Sequence, residues 1–174
     1  DYFKKQCEEI DELRLYSGGK LDREGCYAVL AVEGGAVLGG KLERIDNLKE
    51  AGISVLTLCW NGENEIASGA KAVGGITSFG RKVVAELERS NIVIDVSHLN
   101  EESFWDVAKI ASRPFVATHS NAYSICPHRR NLKDDQIKAI RDFGGLIGLN
   151  FYVEFLGGDS NKGVDSLLRH SEHF

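Results

Sequence analysis

"VIDVSHLNEESFWDV", residues 93–107, is followed within a few residues by "PFVATHSNAYSICPHRRN", residues 114–131. Each stretch opens on a short apolar run and reaches a histidine, His98 or His119. Short runs rich in Val, Ile and Phe read as strands, whereas "EESFWDVAKIA" (101–111) between them repeats its apolar residues at helical spacing. Strand, helix and strand make a βα unit. Near-continuous hydrophobicity suits strands covered on both faces, as in a parallel sheet flanked by helices.

The same alternation extends in both directions. Further strands are expected at "YAVLAVE" (27–33), "ISVLTLCW" (53–60) and "GLIGLNFY" (145–152), beside "NIVIDVSH" (91–98) and "PFVATHS" (114–120). Helices are expected at about 40–50, 78–89, 101–111 and 133–142. Ser78 is placed to cap the second of these and Asn100 the third, with Glu101 and Glu102 favourable in its first turn; Gly144 and Gly145 stop the fourth. A helix over about 2–14 and another in "VDSLLRHSEHF" (164–174) are expected to add no strand, and "YSGGK" and "FLGGDSNKG" read as loops. Residues 1–174 read as a single domain, and five strands fit either an open doubly wound sheet or an incomplete (β/α)8 barrel.

The positions of the polar residues favour the barrel. Glu33, Trp60, Asn61, His98, His119, Asn150 and Tyr152 all stand at the C-terminal ends of apolar runs. In a parallel barrel those ends open onto one face, where barrel enzymes do chemistry. One carboxylate and two imidazoles meeting there have the ligand chemistry of zinc or a similar ion; a lone histidine reads first as a strand-end imidazole satisfied by backbone, and it is the pair in successive strands that brings the metal reading level with it. Trp60, Asn150 and Tyr152 at the same mouth read as substrate-binding. Arg130 in the following loop is either an exposed cation beside Arg129 or a fork for a substrate carboxylate. His128, His170 and His173 read as solvated surface residues.

Composition excludes several classes. A net charge of −5 and a pI near 5.6 lack the basic footprint of a nucleic-acid binder. No apolar run approaches the roughly 20 residues that span a bilayer, so no membrane partner is expected. Cys7, Cys26, Cys59 and Cys126 show no C-x-x-C spacing and read as free thiols of a reducing compartment, which places the protein in the cytoplasm.

Taken together, "AVEGG" (31–35), "LTLCWNGENEIASG" (56–69), "GGITSFGRKVV" (74–84), "IDVSHLNEESFWDV" (94–107), "ATHSNAYSICPHRRNL" (117–132) and "GLIGLNFY" (145–152) resemble the renal (membrane) dipeptidase family of zinc metallopeptidases, in its bacterial form. The resemblance implies a (β/α)8 barrel of the amidohydrolase type that hydrolyses dipeptides through a hydroxide bridging two zinc ions. It implies that Glu33 bridges both metals, that His98 and His119 ligate the second, and that Arg130 binds the substrate's terminal carboxylate. Asp95 or Asn121 is expected to fix the imidazole tautomers.

The sequence departs from the family pattern in three places. It contains no His-x-Asp pair for the first metal and no late acidic "GSDFDG"-like segment, and Trp60 stands where animal members carry a histidine. These gaps, and the lack of any Met, lead to the expectation that two strands before residue 1 and one after residue 174 lie outside this chain. The fragment alone is expected to be inactive and, with open sheet edges, to dimerise or aggregate. The alternatives are a barrel hydrolase of lactones or cyclic amides, or a catalytically inert fragment.

Overall fold

The computed structural model describes residues 2–16, 18, 25–157 and 163–174. Its centre is a parallel sheet of β3 (Leu30–Glu33), β4 (Ile53–Thr57) and β5 (Val93–Asp95), adjacent in chain order. Asp95 then pairs in parallel with Val116, and Ala117 with Ile147. The runs expected at 114–120 and 145–152 therefore continue the sheet in order, through single bridges rather than full ladders. Gly148 allows the last approach: a Cβ there would stand 2.1 Å from the Thr118 carbonyl oxygen. Around this sheet the architecture is that of a partial (β/α)8 barrel.

Helices α2 (Arg44–Glu50), α3 (Ser78–Arg89), α4 (Glu101–Ile110) and α5 (Asp134–Asp142) alternate with these strands, as right-handed parallel crossovers require. α3 buries Val83, Val84 and Leu87, and α4 buries Phe104 and Val107, against Leu56, Ile94 and Phe115 of the sheet. Phe104 meets Phe115 edge-on at 5.9 Å. Each such side chain stabilises by about 1.5–3 kcal/mol on burial. The cap of α4 is Asn100, whose Oδ1 accepts from Ser103 N–H at 2.8 Å. The cap of α3 is Thr77 rather than Ser78; its hydroxyl accepts from Gly80 N–H at 2.9 Å, one residue earlier than the composition suggested.

The N-terminal region differs from expectation. The first helix, α1 (Tyr2–Glu9), stops short, and β1 (Leu13–Leu15) follows where helix was expected to continue. β1 pairs in parallel with β2 (Cys26–Ala28). Leu13 and Leu15 are half-buried around an exposed Arg14, a period of two that only this pairing selects. The expected strand 27–33 is split at the half-exposed Val29 into β2 and β3, and the helix expected from residue 40 begins at Arg44, behind a 3-10 turn at Gly35–Leu38. The closing helix, α6 (Gly163–His173), lies where expected. Residues 17, 19 and 20 of "YSGGK" and 158–162 of "FLGGDSNKG" lie outside the described residues.

Candidate metal centre

Glu33, Thr57 and Asp95 are in register across β3, β4 and β5, so the C-terminal ends of the strands form one rim. Glu33 is the last residue of β3, and the chain turns away at Gly34 with φ 109°, a conformation that needs glycine. His98 lies three residues past β5 and also has positive φ, 74°, which costs a non-glycine residue about 1–2 kcal/mol. The surrounding bonds hold it there. Ser97 N–H donates to Asp95 Oδ1 at 2.9 Å, and the His98 carbonyl accepts from Ala70 N–H at 2.8 Å. His119 follows the Ala117 bridge, its N–H donating to Ser97 Oγ at 3.2 Å.

These three side chains converge. Glu33 Oε1 lies 2.7 Å from His98 Nε2 and 3.6 Å from His119 Nε2, and the two Nε2 atoms are 2.8 Å apart. Their tautomers follow from proton counting. Thr118 Oγ1 has one proton; with Asp95 Oδ2 at 2.7 Å as its acceptor, it must accept from His119 Nδ1–H at 2.8 Å. His98 Nδ1–H in turn donates to Asn61 Oδ1 at 3.0 Å. Both Nε2 atoms therefore carry bare lone pairs, aimed at each other and at a carboxylate.

Protonation does not relieve this clustering at neutral pH. Burial, then Arg130 and His119, push His98 down to about 4 against the pull of Glu33. Burial also lowers His119, with Arg130 adding to it and Asp95 and Glu33 opposing. Three electron-rich donors within 4.8 Å of one another, two neutral imidazoles and a carboxylate, form a set that a divalent cation satisfies and that protein groups alone leave mutually repelling.

Asp95 is fully buried and accepts four hydrogen bonds, from the Thr57 and Thr118 hydroxyls at 2.7 Å each, Thr118 N–H at 3.0 Å and Ser97 N–H at 2.9 Å. Burial alone would raise its pKa, but these bonds outweigh it and hold the carboxyl below the usual range. Asp95, one of the two residues expected to fix the tautomers, thus acts on His119 through Thr118, an intermediary that sequence reading did not name. Asn61, read only as a strand-end polar residue, holds His98. Asn121 reaches neither imidazole: its amide donates to the Asn150 carbonyl at 2.8 Å, and its Oδ1 accepts from Asn150 N–H at 3.0 Å.

A cleft of about 550 Å³ opens over the three donors, lined also by Trp60, Arg130, Asn150 and Tyr152. Arg130 is only 7% exposed, its guanidinium 5.6 Å from the centre of the Phe155 ring, and it has no ion-pair partner among the described residues. Burial pulls its pKa down to about 10, with Asp95, Glu33 and Cys59 opposing, so it stays charged at neutral pH. The Trp60 ring lies 5.9 Å from His98, and Tyr152 packs edge-on against Phe155. Asn150 uses its side chain within the wall, Oδ1 accepting from Tyr152 N–H at 2.8 Å.

Two of the three histidines read as surface residues depart from that reading. His128 lines the cleft, its Nδ1 accepting from Arg130 N–H at 3.1 Å. His170 is fully buried on α6, its Nδ1 accepting from Ala122 N–H at 3.1 Å. His173 pairs with Asp134 at 2.8 Å. His173 stays exposed, as expected, whereas the packing of α6 that buries His170 is invisible in local sequence.

A sequence model described as membrane dipeptidase (peptidase family M19) matches residues 18–174. A protein of Acinetobacter calcoaceticus, named only for its place in the PQQ-III 3' region, is 36% identical over 157 residues, 83% of this chain and 50% of that protein. Among solved structures, a metallo peptidase from Rhodobacter sphaeroides, liganded with a phosphinate mimic of the dipeptide L-Ala-D-Ala, is 35% identical with a TM-score of 0.79. The match covers 84% of this chain and 45% of that one. An amidohydrolase from Pseudomonas aeruginosa, 23% identical with a TM-score of 0.85, shares the fold over 98% of this chain and 55% of its own. The chain thus spans about half the length of each of these relatives.

Proposed function

The chain belongs to the membrane dipeptidase family, peptidase family M19, and from that premise we propose that its cleft hydrolyses the peptide bond of dipeptides with zinc held by Glu33, His98 and His119. The observation that carries this reading is the pair of bare Nε2 atoms meeting a carboxylate beside a buried guanidinium that has no ion-pair partner among the described residues. A bound divalent ion supplies Lewis acidity, polarising a carbonyl and lowering the pKa of water toward neutrality.

The chain's own residues do the rest. Thr118 and Asn61 keep the proton of each imidazole on Nδ1, so that Nε2 remains a ligand. Glu33, half-exposed, has a carboxylate to share with a second zinc ion. Arg130 takes the substrate's terminal carboxylate and sets the register of the peptide bond over the centre; Trp60 and Tyr152 form the walls. No helix among the described residues is long and apolar enough to cross a membrane. The four cysteines are free thiols.

Two measurements test the reading. Metal analysis of these 174 residues alone is expected to find about one zinc and no appreciable dipeptidase activity, since one three-ligand cluster is present among the described residues. In the full-length enzyme, Arg130→Ala is expected to raise KM for dipeptides by about 100-fold with a smaller change in kcat, and to spare substrates that lack the carboxylate. Turnover of lactones or cyclic amides but not dipeptides would replace the reading.

A further inference from the structure

The cleft carries a charge pattern opposite to that of the chain. The sequence has a net charge of −5, yet Lys71, Arg129 and Arg130 line the cleft against Glu33 and Glu154, three cations to two carboxylates. Glu33 is directed at the imidazoles of the metal centre, which leaves Glu154 alone to balance the three cations. Arg130 is assigned to the terminal carboxylate. Lys71 and Arg129 are exposed, and neither has an ion-pair partner among the described residues.

Both cations stand on fixed backbone. Lys71 N–H donates to the Asn61 carbonyl at 2.8 Å, which ties it to the residue that holds His98. Arg129 lies in the turn where Arg130 N–H donates to His128 Nδ1 at 3.1 Å and Asn131 N–H to the His128 carbonyl at 2.9 Å. It therefore stands next in the chain to the group that takes the terminal carboxylate and lines the same cleft. A walled cleft with an excess of one sign of charge favours ligands of the opposite charge.

We propose, resting on the dipeptidase reading, that Arg129, supported by Lys71, selects dipeptides whose C-terminal residue carries a side-chain carboxylate, aspartate or glutamate. Such a substrate presents two carboxylates, one for Arg130 and one for Arg129. A neutral amide of the same shape presents only the first.

The test is the ratio of kcat/KM for Ala-Glu to that for Ala-Gln, and for Ala-Asp to Ala-Asn, in the zinc-loaded full-length enzyme. At low ionic strength the acidic member is expected to be favoured about 5- to 10-fold, more than one exposed pair usually gives, because the cleft is walled. The ratio is expected to fall toward one at roughly 0.5 M salt, where screening acts within a few ångströms. Arg129→Gln is expected to reduce the low-salt ratio at least about 3-fold and Lys71→Gln by less. A ratio at or below one in the parent enzyme, or a ratio that neither substitution moves, overturns the inference while leaving the dipeptidase reading intact. Cleavage of none of the four dipeptides removes that reading and the inference with it.

Discussion

Two carboxylates end the strands on either side of β4, at the same level of the sheet, and live in opposite surroundings. Asp95 is fully buried and all its bonds are made to protein: two hydroxyls and two backbone N–H groups. Glu33 is 52% exposed and points at two imidazole nitrogens, neither of which has a proton to give it. A carboxylate satisfied by donors is a structural element. One that faces lone pairs is electrostatically incomplete until a cation arrives. The difference lies not in the residue type but in whether the neighbours donate or accept.

The largest expected effect comes from breaking the satisfied side. Asp95→Ala strands two hydroxyls and two N–H groups and is expected to destabilise by about 3 kcal/mol or more in urea unfolding, since each bond to a buried charge contributes roughly 1.5–3 kcal/mol. Its pH dependence has a definite sign. Folding lowers the Asp95 pKa, so its stabilisation is complete above the unfolded value of about 3.9 and is lost as pH falls through the folded one. The milder Asp95→Asn is therefore expected to show a shallower loss of stability below about pH 4 than the parent; an unchanged acid limb would show that Asp95 contributes nothing as an anion.

On the unsatisfied side the prediction inverts. Glu33→Gln is expected to weaken zinc binding about 100-fold, which corresponds to roughly 2.7 kcal/mol. It should leave the metal-free unfolding midpoint unchanged or slightly raised, because a charge facing two lone pairs is removed. A large loss of metal-free stability would mean that Glu33 is a structural residue like Asp95, and the contrast would collapse.

The smallest effect tests the link between the two. Thr118→Val deletes the hydroxyl that joins Asp95 to His119 and is expected to lower zinc affinity about 10-fold, with Thr118→Ser restoring most of it. The absorption spectrum of a cobalt-substituted form should shift in the valine variant and return in the serine one. Equal affinity in all three would show that His119 is oriented by packing alone.

Much of this organisation was legible before any coordinates. The βα alternation, the Asn100 cap and the presence of Glu33, His98 and His119 at strand ends are all local patterns, and periodicity is a local signal. The resemblance carried by "AVEGG", "DVSH" and "ATHS" pointed to the same three side chains, and the structure brings them together. The error at 2–14 has the same origin: Ile10, Leu13 and Leu15 tolerate either period, and the choice fell to a partner strand.

Sequence by itself determined which residues stand at the ends of strands, because strand length and hydrophobic pattern are written along the chain. Tertiary structure alone decided which proton each of them carries. The bonds that fix it join Thr57 to Asp95 across 38 residues, Thr118 to Asp95 across 23 and Asn61 to His98 across 37. Hydrogen bonds act over about 3 Å, so these partnerships exist only once parallel register has set the strand ends side by side. The same docking buried His170 and drew His128 into the cleft, where no local pattern distinguished them from surface residues.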